Sequence, residues 1–153
     1  MELFYACYDQ AMAGDEETRA GALRELGEQG RRRGDRDAAL ECYEEAVALL
    51  RNSSDRLKFA HTIRHLGDLH REQSRWAEAE QCYMEALAEY RRHRLPGQLD
   101  LANAIRPYAL LKTLTGRHDE ARPLWLQAAA LYAAEGIDAG VEECCRQAGC
   151  DRA

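Results

Sequence analysis

The sequence predicts an all-α fold, an α-solenoid in which antiparallel helix pairs stack side by side. Three observations predict it. Helical patterning runs through nearly the whole chain, without the alternation of β-branched residues that marks strands. Glycines fall singly, as punctuation between helical runs. The chain also repeats itself: "DAALECYEEAV" (37–47), "AEAEQCYMEAL" (77–87) and "DEARPLWLQAA" (119–129) align at offsets of 40 and 42 residues.

Each copy carries an alanine, an aromatic four residues on, and a second alanine three residues later. The sets are Ala39–Tyr43–Ala46, Ala79–Tyr83–Ala86 and Ala121–Trp125–Ala128. This spacing lays three side chains on one helical stripe. The alanines admit a neighbouring helix and the ring fills the gap beside it. An upstream helix precedes each copy in "ALRELG" (22–27), "TIRHLG" (62–67) and "AIRPYA" (104–109), where Gly27, Gly67 and Ala109 are the small residues. Short turns, "RGDRD", "QSRWA" and "TGRHD", join the two helices. Gly34 and Gly116 stand in two of them as C-terminal caps, with Ser74 in the equivalent place of the other. One helix pair cannot bury such a stripe alone, so the pairs must stack.

In chain order this gives an N-terminal helix over 1–14, with Phe4, Tyr8 and Ala11 at the spacing of the second-helix stripe. Three helix pairs follow, at 16–52, 55–94 and 97–135. Pro107 falls inside the first helix of the third pair and is expected to bend it. A terminal helix over 137–150 closes the far end, as solenoids require. All 153 residues are read as one domain, large enough to build a core without metals or disulfides.

The Ala–aromatic–Ala stripe, the small residue after a large apolar one, and the turn glycine together resemble the tetratricopeptide repeat. The resemblance covers about residues 17–135. The period exceeds the usual ~34 residues and is similar to the long-helix subclass of kinesin light chains and many bacterial proteins. The departures are Gly30, His70 and Lys112, where that family usually has a tyrosine. The resemblance implies a right-handed solenoid and a non-catalytic protein–protein interaction module. It implies that the first helices line a concave groove that takes a peptide or segment of a partner, as yet unidentified.

Carried over position by position, that groove would hold Gly21, Arg24, Glu25, Glu28 and Arg31 in the first repeat. It would hold His61, Arg64, His65, Asp68 and Arg71 in the second, and Asn103, Arg106, Pro107, Leu110 and Thr113 in the third. Arg24, Arg64 and Arg106 share one place in all three repeats. Such a ladder can grip carboxylates or backbone carbonyls of an extended ligand. The plainer reading is local pairing, Arg24 with Glu28 and Arg64 with Asp68. Arg106 has Leu110 at that spacing, so no partner is legible for it, and it is the strongest single candidate. The clamp by which chaperone-tail-binding members hold a terminal carboxylate is not reproduced: Glu28 and His65 stand where it has asparagines, and Asn103 and Pro107 where it has Lys and Arg. Leu110 and Leu114 form an apolar pair expected to pack under the terminal helix.

His61 and His65, four residues apart with Asp68 beyond, have metal-chelating spacing. "HTIRH" lacks the glutamate of a catalytic zinc helix, and Arg64 would oppose a cation. They are read as groove wall, with no metal and no cofactor, and as a source of pH-sensitive binding near neutrality. His70, on another face, is expected to pack. The six cysteines are read as buried reduced thiols, apart from Cys144, Cys145 and Cys150, whose exposure would permit oxidation.

The formal charge of −6 argues against nucleic acid or an anionic membrane as partner. The runs "RRRG" (31–34) and "RRHR" (91–94) sit at helix C-termini, where cations are favoured. Glu41, Glu44, Glu45, Glu78 and Glu85 are expected on a solvated convex face. No nucleophile–base set or phosphate loop argues for an enzyme. The alternative function is a self-associating scaffold, a weak homo-oligomer joined through Phe4, Tyr5 and Tyr8. A less favoured one is a metal- or thiol-dependent activity through His61 and His65 or the terminal cysteines. No segment is apolar and long enough to span a membrane, and "AMAG" (11–14) lacks the flanks of a signal peptide. The chain is therefore read as cytoplasmic. Its arginine-rich, alanine-rich composition points to a GC-rich bacterial genome.

Overall fold

A computed structural model describes residues 14–93 and 98–150. Seven helices and no strand make up these residues: α1 (Glu16–Arg33), α2 (Arg36–Leu50), α3 (Arg56–Glu72), α4 (Trp76–Arg92), α5 (Gln98–Leu114), α6 (His118–Ala134) and α7 (Asp138–Gln147). The N-terminal helix expected over 1–14, with Phe4, Tyr5 and Tyr8, lies outside the described residues apart from Gly14. Helices α1, α3 and α5 each pack most extensively on the even helix that follows, and the pairs then stack. The first helices α3 and α5 also touch directly, and α7 packs on α6.

The helix ends follow from local chemistry. Asp15, Asp35 and Asp55 each accept a hydrogen bond from the third backbone N–H of the helix they open, those of Thr18 (2.8 Å), Ala38 (3.2 Å) and Lys58 (3.0 Å). At the other end, α1, α3 and α5 close through one device. A residue with positive φ reverses the chain, and the next amide reaches back five residues: Asp35 to Gly30, Arg75 to His70, Arg117 to Lys112, at 2.8–2.9 Å. The left-handed residue is Gly34 (φ 81°) or Gly116 (φ 75°), and between them Ser74 (φ 59°).

Most stripe positions join one core along the solenoid, while Ala79 and Tyr83 form a second, small cluster with Leu111. Tyr43, Tyr83 and Trp125 are 3%, 0% and 1% exposed, with their flanking alanines equally buried. Gly27 and Gly67 are required by this packing. A Cβ on Gly27 would sit 2.7 Å from the Tyr43 ring, and one on Gly67 would sit 2.9 Å from the Tyr83 ring. Gly140 on α7 repeats the device against Tyr132, at 2.6 Å. Helix α5 runs through Pro107, which is buried.

Between repeats, charge supplements apolar contact. Arg51, just past α2, pairs with Glu85 on α4 at 2.8 Å, and within the first pair Arg19 joins Glu45 at 3.6 Å. Glu45 and Glu85 are therefore half-buried bridging groups rather than freely solvated ones, while Glu41, Glu44 and Glu78 are exposed. Lys112 on α5, only 3% exposed, reaches Glu80 on α4 and Glu120 on α6, the latter at 2.8 Å. Arg117 grips the same Glu80 with two bonds, of 2.7 and 2.8 Å. Leu114, expected to pack, is 53% exposed, whereas Leu110 lies partly buried against the core.

Candidate functional site

Helix period places Gly21, Arg24, Glu25, Glu28 and Arg31 on one face of α1. With Gln29, Arg32, Tyr43 and His65 they line an open cleft of about 640 Å³ between the first and second repeats. Most of its charged groups are engaged. Glu28 pairs with Arg32 at 3.3 Å, not with Arg24, and Arg31 pairs with Glu72 on α3. Arg24 is different. Among the described residues it has no ion pair or hydrogen bond, and its Nε is buried without a partner.

On α3 the expected residues form one network. Asp68 is 7% exposed. It accepts a 2.7 Å hydrogen bond from the Tyr83 hydroxyl and lies 3.6 Å from Arg64 and 3.8 Å from Arg71. Arg71 also donates to the Tyr83 hydroxyl at 3.1 Å. The Arg64 guanidinium donates to Nε2 of His65 at 2.9 Å. Since a guanidinium only donates, His65 must accept there and carry its proton on Nδ1, in the neutral form. Burial, then the charges of Arg64, Arg24 and Arg31, push its pKa down to about 3.

That corrects the expected pH response: His65 stays neutral throughout the physiological range. His61 shares a 2.9 Å hydrogen bond with the Tyr90 hydroxyl and approaches Asp100 at 3.7 Å. Burial lowers its pKa as well. Each histidine is thus held by its own neighbours. Among the described residues no cluster of three or more His, Cys, Asp or Glu is arranged to hold a metal. His70 is buried, as its position implied.

The third repeat is the main correction. Arg106 is not without a partner. It makes a two-pronged pair with Glu143 on α7, at 3.1 and 2.8 Å. Local spacing hid this, because the partner lies 37 residues away. Asn103 accepts from the Tyr132 hydroxyl at 2.7 Å. The cysteine trio is also not uniformly exposed. Cys144 is 0% exposed and burial pushes its thiol up to about 11, while Cys145 and Cys150 are half-buried.

A tetratricopeptide-repeat family model matches residues 18–92, which covers α1–α4. Residues 18–92 belong to the tetratricopeptide-repeat family. No curated protein matches the chain. Solved structures share the fold across the remaining helices. BtubC (BKLC) from P. vanneervenii superposes with a TM-score of 0.73 at 22% identity, over 97% of this chain and 70% of that one. A structure of nearly identical TPR-like repeats, assigned to a kinesin light chain of Podosopora anserina, gives a TM-score of 0.73 at 17% identity. It covers 97% of this chain and 77% of that one.

A tetratricopeptide-repeat fold is that of a protein–protein interaction scaffold, and such repeat proteins are in general non-catalytic. No helix among the described residues is long and apolar enough to cross a membrane. Two groups escaped sequence reasoning: Glu143 as the partner of Arg106, and the buried Lys112 cluster. Only Lys112 left a trace, as an odd residue at a position that usually packs.

Proposed function

We propose that this chain is a non-catalytic interaction module that receives a segment of a partner protein along the face formed by α1, α3 and α5. One observation carries the reading. In a structure where nearly every charged group near the groove is paired, Arg24 sits half-buried in an open cleft with a buried Nε that nothing on the described chain satisfies. A buried donor without a partner is unfavourable by itself, so such a site gains most when an outside acceptor arrives. Rigid repeats suit the role, because little ordering is lost on binding.

The test is affinity capture from the native host, comparing wild type with Arg24→Glu and with Glu44→Arg, which alters an exposed position on the opposite helix layer. Circular dichroism first establishes that both variants fold. The reading expects Arg24→Glu to lose a partner that wild type and Glu44→Arg retain. Loss with Glu44→Arg alone would move the site to the second-helix face. Capture of the chain itself, with a mass rising with concentration in light scattering, would replace the reading by self-association.

A further inference from the structure

We infer that Cys145 and Cys150 form a dithiol–disulfide site, oxidised by low-molecular-weight disulfides, that fastens the C-terminal end of α7. Helix α7 closes as the first helices do. Gly149 takes a positive φ of 71°, and the amide of Cys150 reaches back five residues to the carbonyl of Cys145 at 2.9 Å. That bond limits how far apart the two cysteines stand. About 1.5 Å separates an amide nitrogen from its Cα, and about 2.4 Å a carbonyl oxygen from its own. With the 2.9 Å bond between them, the two Cα atoms lie no more than about 6.8 Å apart, and any bend brings them closer. A disulfide spans Cα separations of about 4.4–6.8 Å.

The same closure elsewhere in the chain shows that side chains at its two ends share one space. At the end of α5 the two residues are Lys112 and Arg117, and both cations reach Glu80 and Glu120. At the end of α6 they are Tyr132 and Ile137, which belong to one apolar core. At α1 and α3 they are Gly30 with Asp35 and His70 with Arg75. Among the described residues, α7 alone carries a thiol at both ends of the closure. Accessibility sorts the cysteines in the same way. Cys42, Cys82 and Cys144 are buried, whereas Cys145 and Cys150 are half-buried and pack against the edge of the core.

The chemistry is thiol–disulfide exchange. The thiolate of one cysteine attacks the external disulfide, forms a mixed disulfide and expels one small thiolate. The thiolate of the other cysteine attacks the protein sulfur of that mixed disulfide and expels the second small thiolate. One protein S–S bond forms and one external S–S bond breaks. Two electrons pass from the protein to the external disulfide, and the two thiol protons end on the released small thiols. The new bond closes a loop that the backbone has already closed. It fixes the end of the helix that seats Gly140 against Tyr132 and supplies Glu143 to Arg106.

The full chain is equilibrated with reduced and oxidised glutathione, quenched by alkylation, and read by intact mass and peptide mapping. The expected product has lost two hydrogens, with the link mapped to Cys145 and Cys150. Cys145→Ser and Cys150→Ser should each stop at a lasting glutathione adduct. Two cysteines five residues apart can pair in an unfolded chain as well, so the folded protein is compared with the protein in urea. In an unstructured loop the effective concentration of the pair is about millimolar, and in the folded chain it should be about tenfold higher or more. A Cβ on Gly149 meets nothing within 4 Å, so Gly149→Ala acts through φ alone and should bring the value back toward that in urea. Oxidation should also slow hydrogen exchange in α7 and leave α1–α4 unchanged.

A link to Cys144 or Cys7, a wild-type chain that keeps the glutathione adduct, or equal effective concentrations in the folded and urea-unfolded chain would each overturn the site. Exchange in α7 that is the same before and after oxidation would overturn the fastening of the helix.

Discussion

Below about pH 6.5 an unfolded histidine takes up a proton, whereas His65 in the folded chain does not until about pH 3. A depressed histidine pKa favours the folded state fully above the unfolded value, and that contribution is lost as pH falls from about 6.5 toward 3. Each proton bound only by the unfolded chain removes about 1.4 kcal/mol per pH unit. His61 and His70 are lowered as well and add in the same sense. Urea unfolding between pH 7 and 4.5 should therefore show stability falling with acid, and His65→Gln should make that fall shallower. Equal slopes would mean that His65 titrates normally. At this scale the sequence revealed the identities and spacing of the groove residues but not their charge states. His61 and His65 were legible as a pair. That three guanidiniums from two helices converge on one of them depends on how α1 lies against α3.

Turns are where the sequence was most legible, because chirality leaves few residues for a left-handed position. Gly34 and Gly116 announced themselves, and Ser74 was found by alignment with them. Its φ of 59° shows that the same closure is made there by a residue poorly suited to it. Ser74→Gly should stabilise the chain by about 1 kcal/mol, read as a higher urea midpoint at unchanged slope. An unchanged or lower midpoint would show that the serine is compensated by contacts of its own. The aspartate caps of α1, α2 and α3 follow the same local logic. What no local pattern could give was the far end of a side chain, as Arg106 shows.

Across the whole molecule, stripe period alone was enough to predict stacked helix pairs, since every small–aromatic contact lies within reach of neighbouring helices. The ionic joint between the second and third repeats was not legible, because Lys112 and Glu80 are 32 residues apart and a mid-stripe lysine reads only as an anomaly. Lys112→Ala should cost about 3 kcal/mol, since it removes a buried ammonium that bridges Glu80 and Glu120 across two helices. Thermal unfolding measures it, and a loss below about 1 kcal/mol, the scale of an exposed pair, would show that Arg117 alone suffices. The Arg106–Glu143 pair has a different consequence. Both side chains are partly exposed, at 46% and 34%, so the bond itself is weak. Yet Glu143 is attached to the same chain, and a tethered group competes as if present at about millimolar concentration. On the proposed groove reading, a segment reaching the third repeat must outbid this resident competitor, whereas one reaching Arg24 in the first meets none among the described residues. That reading therefore expects a gradient of affinity along the solenoid, with weak ligands engaging from the α1 end.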